Sequence, residues 1–184
     1  MIFTPQNIQL KNGESILIRE AVVRDAFALL EMVKNYLEDS PYIPKSTSEF
    51  QLTVAQEEVW IQSFLDAPNS LLLVAEFENQ LIGNIDLTGN KRQVMQHNAL
   101  VGMGMLIEWR NQGLGSALMR AAIDWAISNL LLENLQLEVY AENLAGINLY
   151  QKKGFKQCGV IPNLFKENGH YCDSIMMTLS VKNQ

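Results

Sequence analysis

Near the middle of the chain a strand-like apolar run, ALVGMGMLI (99–107), passes through EWRNQGLG into SALMRAAIDWAISNLLL (116–132), which carries apolar residues at helical period on nearly every face. A helix apolar almost all round must be covered, and the strand that feeds it through so short a turn must belong to a sheet. That junction constrains the fold more than any other feature. With 184 residues, 48% of them hydrophobic, the chain has enough apolar material to bury such a helix within one domain spanning 1–184.

The rest of the chain reads in the same alphabet. SILIREA (15–21) is a strand, and the helix after it takes Asp25 as its N-cap and Phe27, Leu30, Val33 and Leu37 as its inward stripe. The polar segment 40–52, with two prolines, is a loop of the kind that shapes pockets. Thr53 and Gln56 form a capping-box pattern that opens a second helix, ended by Pro68. From residue 70, SLLLVAEF and LIGNIDLT make a hairpin around ENQ, and Gly102 and Gly104 in the next strand signal a bulge or a close approach by a ligand or another backbone. LQLEVYAEN (135–143) alternates as a strand, Asn143 caps a short helix that Gly154 ends, and FKQCGVI and YCDSIMMTLS close the chain around a turn at KENGH. The order β-α-α-β-β-β-α-β-α-β-β predicts a mixed sheet with helices on its faces.

The turn at RNQGLG offers an anion site. A helix N-terminus carries unsatisfied N–H groups and the positive end of the helix dipole, Gly113 and Gly115 lack a Cβ, and Arg110 adds a charged fork. Two better-known phosphate motifs fail: no Lys follows Gly115, as a P-loop requires, and Leu118 stands where a dinucleotide fingerprint needs a third glycine. Two glycines at a tight turn, by themselves, require no ligand.

The segment Arg110 to Gly115 resembles the R/Q-x-x-G-x-G/A loop of the GNAT N-acetyltransferase superfamily, and Asn143 through Tyr150 to Gly154 and Phe155 resembles that superfamily's second signature, about 30 residues downstream. The resemblance is good from about residue 70 to 180. It implies the GNAT acyl-CoA N-acyltransferase fold, an α/β (α+β) architecture with a central sheet of about 6–7 strands and helices on both faces. It also implies acetyl-CoA as co-substrate and no metal. The main chain of Met103, Gly104 and Met105 would bond the pantetheine arm, with the amide near Met105 supporting the thioester oxyanion. Asn111, Gln112, Gly113, Leu114, Gly115 and Ser116 would wrap the pyrophosphate beside Arg110, and Asn143 would contact the cofactor arm. Tyr150 would be the general acid that protonates the leaving thiolate, and Glu138, which matches the catalytic Glu of ribosomal-protein N-terminal acetyltransferases, is a candidate base.

Departures from the family pattern matter as well. His97, Asn98, Ala99, Leu100, Val101 and Gly102 stand where relatives often read H-x-A-E-L-G, so Leu100 replaces a carboxylate and His97, against its reading as an exposed loop residue, or a water chain is left as the other candidate base. Asp86 is read as a solvated strand residue rather than as part of an acceptor pocket.

The reaction implied is direct acetyl transfer to a primary amine in a ternary complex, the acceptor being a small molecule, polyamine, amino acid or protein N-terminus. The alternative is a non-catalytic acyl-CoA-binding or sensing module, which Leu100 favours and Tyr150 opposes. A net charge of −6 argues against nucleic acid or an anionic membrane as partner. Cys158 and Cys172 have neither metal-type nor disulfide-framework spacing and are read as buried small hydrophobes. No apolar run reaches the length of a membrane span and no signal peptide is evident, so the expectation is a cytoplasmic protein, with a homodimer allowed.

Overall fold

Alternation and turn chemistry account for the centre of the sheet. In the computed structural model, which describes residues 2–44, 48–167 and 169–182, strands β3 (Leu71–Phe77) and β4 (Gln80–Gly89) meet at Glu78 and Asn79. Both turn residues take positive φ, 47° and 65°, as a tight hairpin with right-handed strand twist requires. Strand β5 (Asn98–Met105) continues antiparallel to β4. The full sheet has eight strands in the order β1-β2-β3-β4-β5-β6-β8-β7, with β1 Gln6–Gln9, β2 Ser15–Glu20, β6 Asn134–Tyr140, β7 Lys156–Glu167 and β8 His170–Ser180. That exceeds the six or seven strands expected. The extra edge strand is QNIQ, too polar and too short to announce itself by alternation.

Helices cover both faces. Against one lie α1 (Ala26–Asp39) and α2 (Val54–Asp66), whose Leu29, Met32, Tyr36, Ile61 and Phe64 pack on Leu72, Val74 and Leu81. Against the other lie α3 (Leu114–Ser128) and α4 (Leu144–Lys152), with Leu118, Ala122 and Trp125 buried on Leu73, Ile85, Leu137 and Val139. Odd and even positions of the same strand therefore serve different cores. Among the described residues, no helix is long and apolar enough to cross a membrane.

Several local expectations hold. Thr53 Oγ1 accepts from the Gln56 N–H at 3.3 Å while Gln56 Oε1 accepts from the Thr53 N–H at 2.8 Å, a complete capping box. Gly154, at φ 92°, follows α4 as expected.

Others are corrected. Of the predicted α1 stripe, Leu30 and Leu37 are buried and Val33 packs against the same core, but Phe27 is 64% exposed, and Ala26, Leu29, Met32 and Tyr36 complete the buried face instead. Asp25 does not cap α1 with its side chain. Its carboxylate instead accepts from the Val22 N–H at 2.9 Å and from the Arg19 guanidinium at 2.6 and 3.0 Å, and Arg19 also reaches Glu76. Gly102 and Gly104 mark no bulge: β4 and β5 stay in register from Gly83 opposite Met105 to Gly89 opposite Ala99. Cys172 is buried as expected, but Cys158 is exposed. Residues 45–47 of the predicted loop and Asn168 of the closing turn lie outside the described residues.

Candidate active site

The sheet is open where β5 leaves β6. These strands pair in parallel only from Asn98–Asn134 to Leu100–Gln136. Past Leu100, one edge of β5 has no strand beside it. Leu106 N–H bonds Ile82 O at 3.1 Å, so by alternation the main-chain groups of Gly104 and Gly102 also face β4 while those of Met103 and Met105 face the gap. An extended ligand segment could bond this edge as a strand would.

The gap leads to the start of α3. Gly113 is its N-cap residue at φ 96°, a left-handed conformation costly for any residue with a Cβ, and Asn111 is also left-handed at φ 62°. No side chain caps the helix, and the first internal bond is Ala117 N–H to Gly113 O, so the amides of Leu114, Gly115 and Ser116 are left for an external acceptor. The loop is tied down from behind by Lys11 N–H on Gln112 O at 3.0 Å. Leu114 is itself fully buried, so it can serve an anion only through its main chain. Gly115 has a packing reason beyond ligand approach: a Cβ there would stand 3.0 Å from Met105 Cε, 3.3 Å from Leu149 Cδ2 and 3.5 Å from Met103 Cε. β5, α3 and α4 converge on that point.

Tyr150 is carried on α4, next to Leu149, and packs into the same core edge-on to Phe155, with ring centres 6.1 Å apart. Burial raises its pKa, so the phenol stays protonated at neutral pH. Among the described residues its hydroxyl takes no hydrogen bond. Asn143 caps α4, its Oδ1 accepting from the Gly146 N–H at 2.9 Å, which leaves its amide NH₂ as the donor for a ligand. Arg110 does not extend its fork to the cradle: it donates to Asp39 O at 3.1 Å and to Met105 O at 3.3 Å, joining the end of α1 to β5.

The candidate bases separate. Glu138 is exposed on the α1–α2 face of β6 and lines a wide cleft of about 860 Å³ with Tyr140, Phe165 and Lys166. Tyr140 stacks on Phe165 at 3.6 Å between ring centres, and burial together with Glu167 pushes its phenol up to about 12. His97 precedes β5 at the end where β5 and β6 still pair, roughly 20 Å along the strand from Met103. It is not brought to the gap.

Sequence reasoning missed a second cavity and misread one residue in it. Between α1, α2 and β4 lies a cavity of about 260 Å³ whose floor is Asn84 and Asp86. Tyr36 donates to Asn84 Oδ1 at 3.1 Å, and its ring lies where a Cβ on Gly104 would sit. Asp86 is half-buried rather than solvated, and burial pushes its carboxyl up to about 6 against an opposing hydrogen bond from Thr88. A signal was present: two polar residues at alternate positions of one strand and two glycines at alternate positions of the next. Only the register shows that they face each other.

The fold is shared with known proteins. A protein from Streptococcus pneumoniae, an acetyltransferase of the GNAT family, superposes with a TM-score of 0.87 at 28% identity, covering 90% of this chain and 99% of that one. A Salmonella typhimurium protein solved with its cofactor acetyl-CoA shares the fold, with a TM-score of 0.81 at 18% identity over 92% and 95% of the two chains. These likenesses define a class of folds before any sequence family is invoked. Residues 30–155 match the acetyltransferase (GNAT) family, and the chain belongs to it. Among curated relatives, the L-amino acid N-acetyltransferase of Escherichia coli is 28% identical over 162 residues, 88% of this chain and 96% of the relative. The protein is an acetyltransferase enzyme.

Proposed function

We propose that the chain, read as one domain over 1–184 and acting in the cytoplasm, transfers the acetyl group of acetyl-CoA directly to a primary amine within a ternary complex. The observation that carries this is the left-handed Gly113 turn with three free amides at the start of α3, set beside the unpaired edge of β5. In this reading the amides of Leu114, Gly115 and Ser116, with the turn Asn111 to Gly113, hold pyrophosphate, while Met103 and Met105 bond the pantetheine arm through main-chain groups. Gly104 turns its own main chain to β4 and contributes by its place between them. Arg110 acts by fixing the loop, and the Asn143 amide meets the cofactor arm.

Tyr150 is the general acid, its hydroxyl free and its proton retained at neutral pH. The base is a carboxylate on the α1–α2 face, where Glu138 and Asp86 both lie. The acceptor is an amine, as it is for the relative that acetylates L-amino acids. Thiol release from acetyl-CoA across a panel of amines tests the reading. Turnover with one or more amines is expected, and binding of acetyl-CoA without turnover would overturn it.

A further inference from the structure

In the acetyl-transfer reading no part of acetyl-CoA is assigned to the cavity under α1 and α2, yet its floor residues pair with β5, which also edges the slot. Its floor follows from register: Asp86 stands opposite Gly102 and Asn84 opposite Gly104. A Cβ at Gly102 would lie 2.5 Å from Asp86 Oδ1, so the carboxylate leans across the bare main chain of β5. Asp86 Oδ2 accepts from Thr88 Oγ1 at 2.9 Å, and among the described residues Oδ1 has no partner. Leu100, on the same face of β5, is 53% exposed and carries no charge.

We infer that Asp86 is the base that takes the proton of the acceptor ammonium, and that the cavity it floors admits a primary amine carried on an apolar body. The inference rests on the acetyl-transfer reading above. The walls are Leu29, Val33, Phe50, Leu52 and Trp60, and the carboxyl groups among the described lining residues are Asp86 and the buried Glu57. A cation with hydrocarbon behind it suits such a site, because the ammonium meets negative charge while the apolar remainder leaves water. A polyamine would bring further ammonium groups against hydrocarbon walls, at a desolvation cost nothing there offsets.

The groups facing Asp86 suit a base. From α1, Tyr36 is held neutral by burial and by the carboxylates near it; from α2, the buried Glu57 lines the same cavity; from β4 itself, Thr88 donates a hydrogen bond. A carboxyl near 6 is ionised at neutral pH yet basic enough to accept a proton usefully. In the transfer, the nitrogen gives one proton to Asp86 Oδ1 and forms its bond to the acetyl carbon. The carbon–sulfur bond breaks, the sulfur takes the Tyr150 proton, and the second nitrogen proton restores Tyr150. Asp86 then releases its proton to water, so ammonium and thioester become amide, thiol and one free proton.

The test measures kcat/KM from about pH 5 to about pH 9 for the wild-type chain, Asp86→Asn and Glu138→Gln, with phenethylamine and spermidine as acceptors. Wild type should lose activity as pH falls through about 6, and should favour phenethylamine by about tenfold or more. Asp86→Asn should lower kcat by about 10² to 10⁴ and abolish that limb, with acetyl-CoA affinity by calorimetry unchanged. Glu138→Gln should keep the limb. An Asp86→Asn enzyme within about threefold of wild type, a limb that disappears in Glu138→Gln instead, or a preference for spermidine would overturn the inference while leaving acetyl transfer standing. If Asp86→Asn does not fold, the wild-type limb and the amine ranking still decide. Failure of wild type to turn over any amine would remove the acetyl-transfer reading, and this inference with it.

Discussion

Replacing Gly104 by alanine puts a methyl group into the ring of Tyr36. The new Cβ would stand 2.4 Å from Cζ, 2.7 Å from Cε2 and 2.8 Å from Cε1. Carbon atoms settle about 3.5 to 4.0 Å apart, so the ring must recede by about 1 Å. It has little room to do so, being buried beneath α2 with its hydroxyl on Asn84 at 3.1 Å. Overpacking of this kind costs about 1–3 kcal/mol, and breaking the hydrogen bond leaves a buried Asn84 oxygen unpaired at a similar cost. Relief of glycine's chain entropy returns only about 0.5 kcal/mol. A net loss of about 3 kcal/mol follows, or about 6–12 °C in Tm for a chain of this size. Urea denaturation of Gly104→Ala, Tyr36→Leu and the double variant should show a coupling of at least about 1 kcal/mol, since leucine vacates the space the methyl needs. A loss below about 1 kcal/mol, or the same loss in the Tyr36→Leu background, would refute the packing argument.

Three other outcomes follow from the same structure. Tyr150→Phe should lower kcat by about 10² while leaving acetyl-CoA affinity unchanged, and a variant as fast as wild type on a good amine would remove Tyr150 as the acid. Gly113→Asp should weaken acetyl-CoA binding measured calorimetrically by about tenfold or more, because it places a Cβ at φ 96° and a negative charge at the cradle; unchanged affinity would contradict the pyrophosphate assignment. Burial raises the Asp25 carboxyl, but the Arg19 fork and the Val22 N–H outweigh it and hold its pKa below the ordinary value. The stability Asp25 contributes is therefore complete above the unfolded carboxyl pKa and disappears as pH falls through the lower folded one. Asp25→Asn should cost about 1–2 kcal/mol at pH 7 and progressively less below about pH 4, read by urea midpoints, whereas a constant difference would exclude the linkage.

The turn at the start of α3 was largely legible in the chain. A left-handed glycine, a helix N-terminus and an uncapped first turn are local matters, fixed by residues within one turn of one another, so RNQGLG announced its geometry before any packing was known. The same holds for the ENQ hairpin and the Thr53 capping box. Helix faces were legible less well: Phe27 and Ala26 both satisfy a helical period, and which one is buried depends on what α1 packs against.

The cavity under α1 and α2 was decided by tertiary structure. Asn84 and Asp86 alternate with Ile85 and Leu87, a pattern that in one antiparallel strand means a solvated face. Here α1 and α2 cover that face, turning polar positions into the floor of a cavity. Gly102 and Gly104 suggested a bulge because the sequence could show that side chains were missing, but not whose side chains filled the space. Register put Asp86 over Gly102, and the packing of α1 put Tyr36 over Gly104. The chain by itself determined the shape of the turn at the start of α3, since that turn is made of neighbouring backbone groups. What lies across from it is assembled from α1, α2, β4 and β5, elements up to about 70 residues apart in sequence, and only their packing brings a carboxylate, a phenol and an apolar wall to one place.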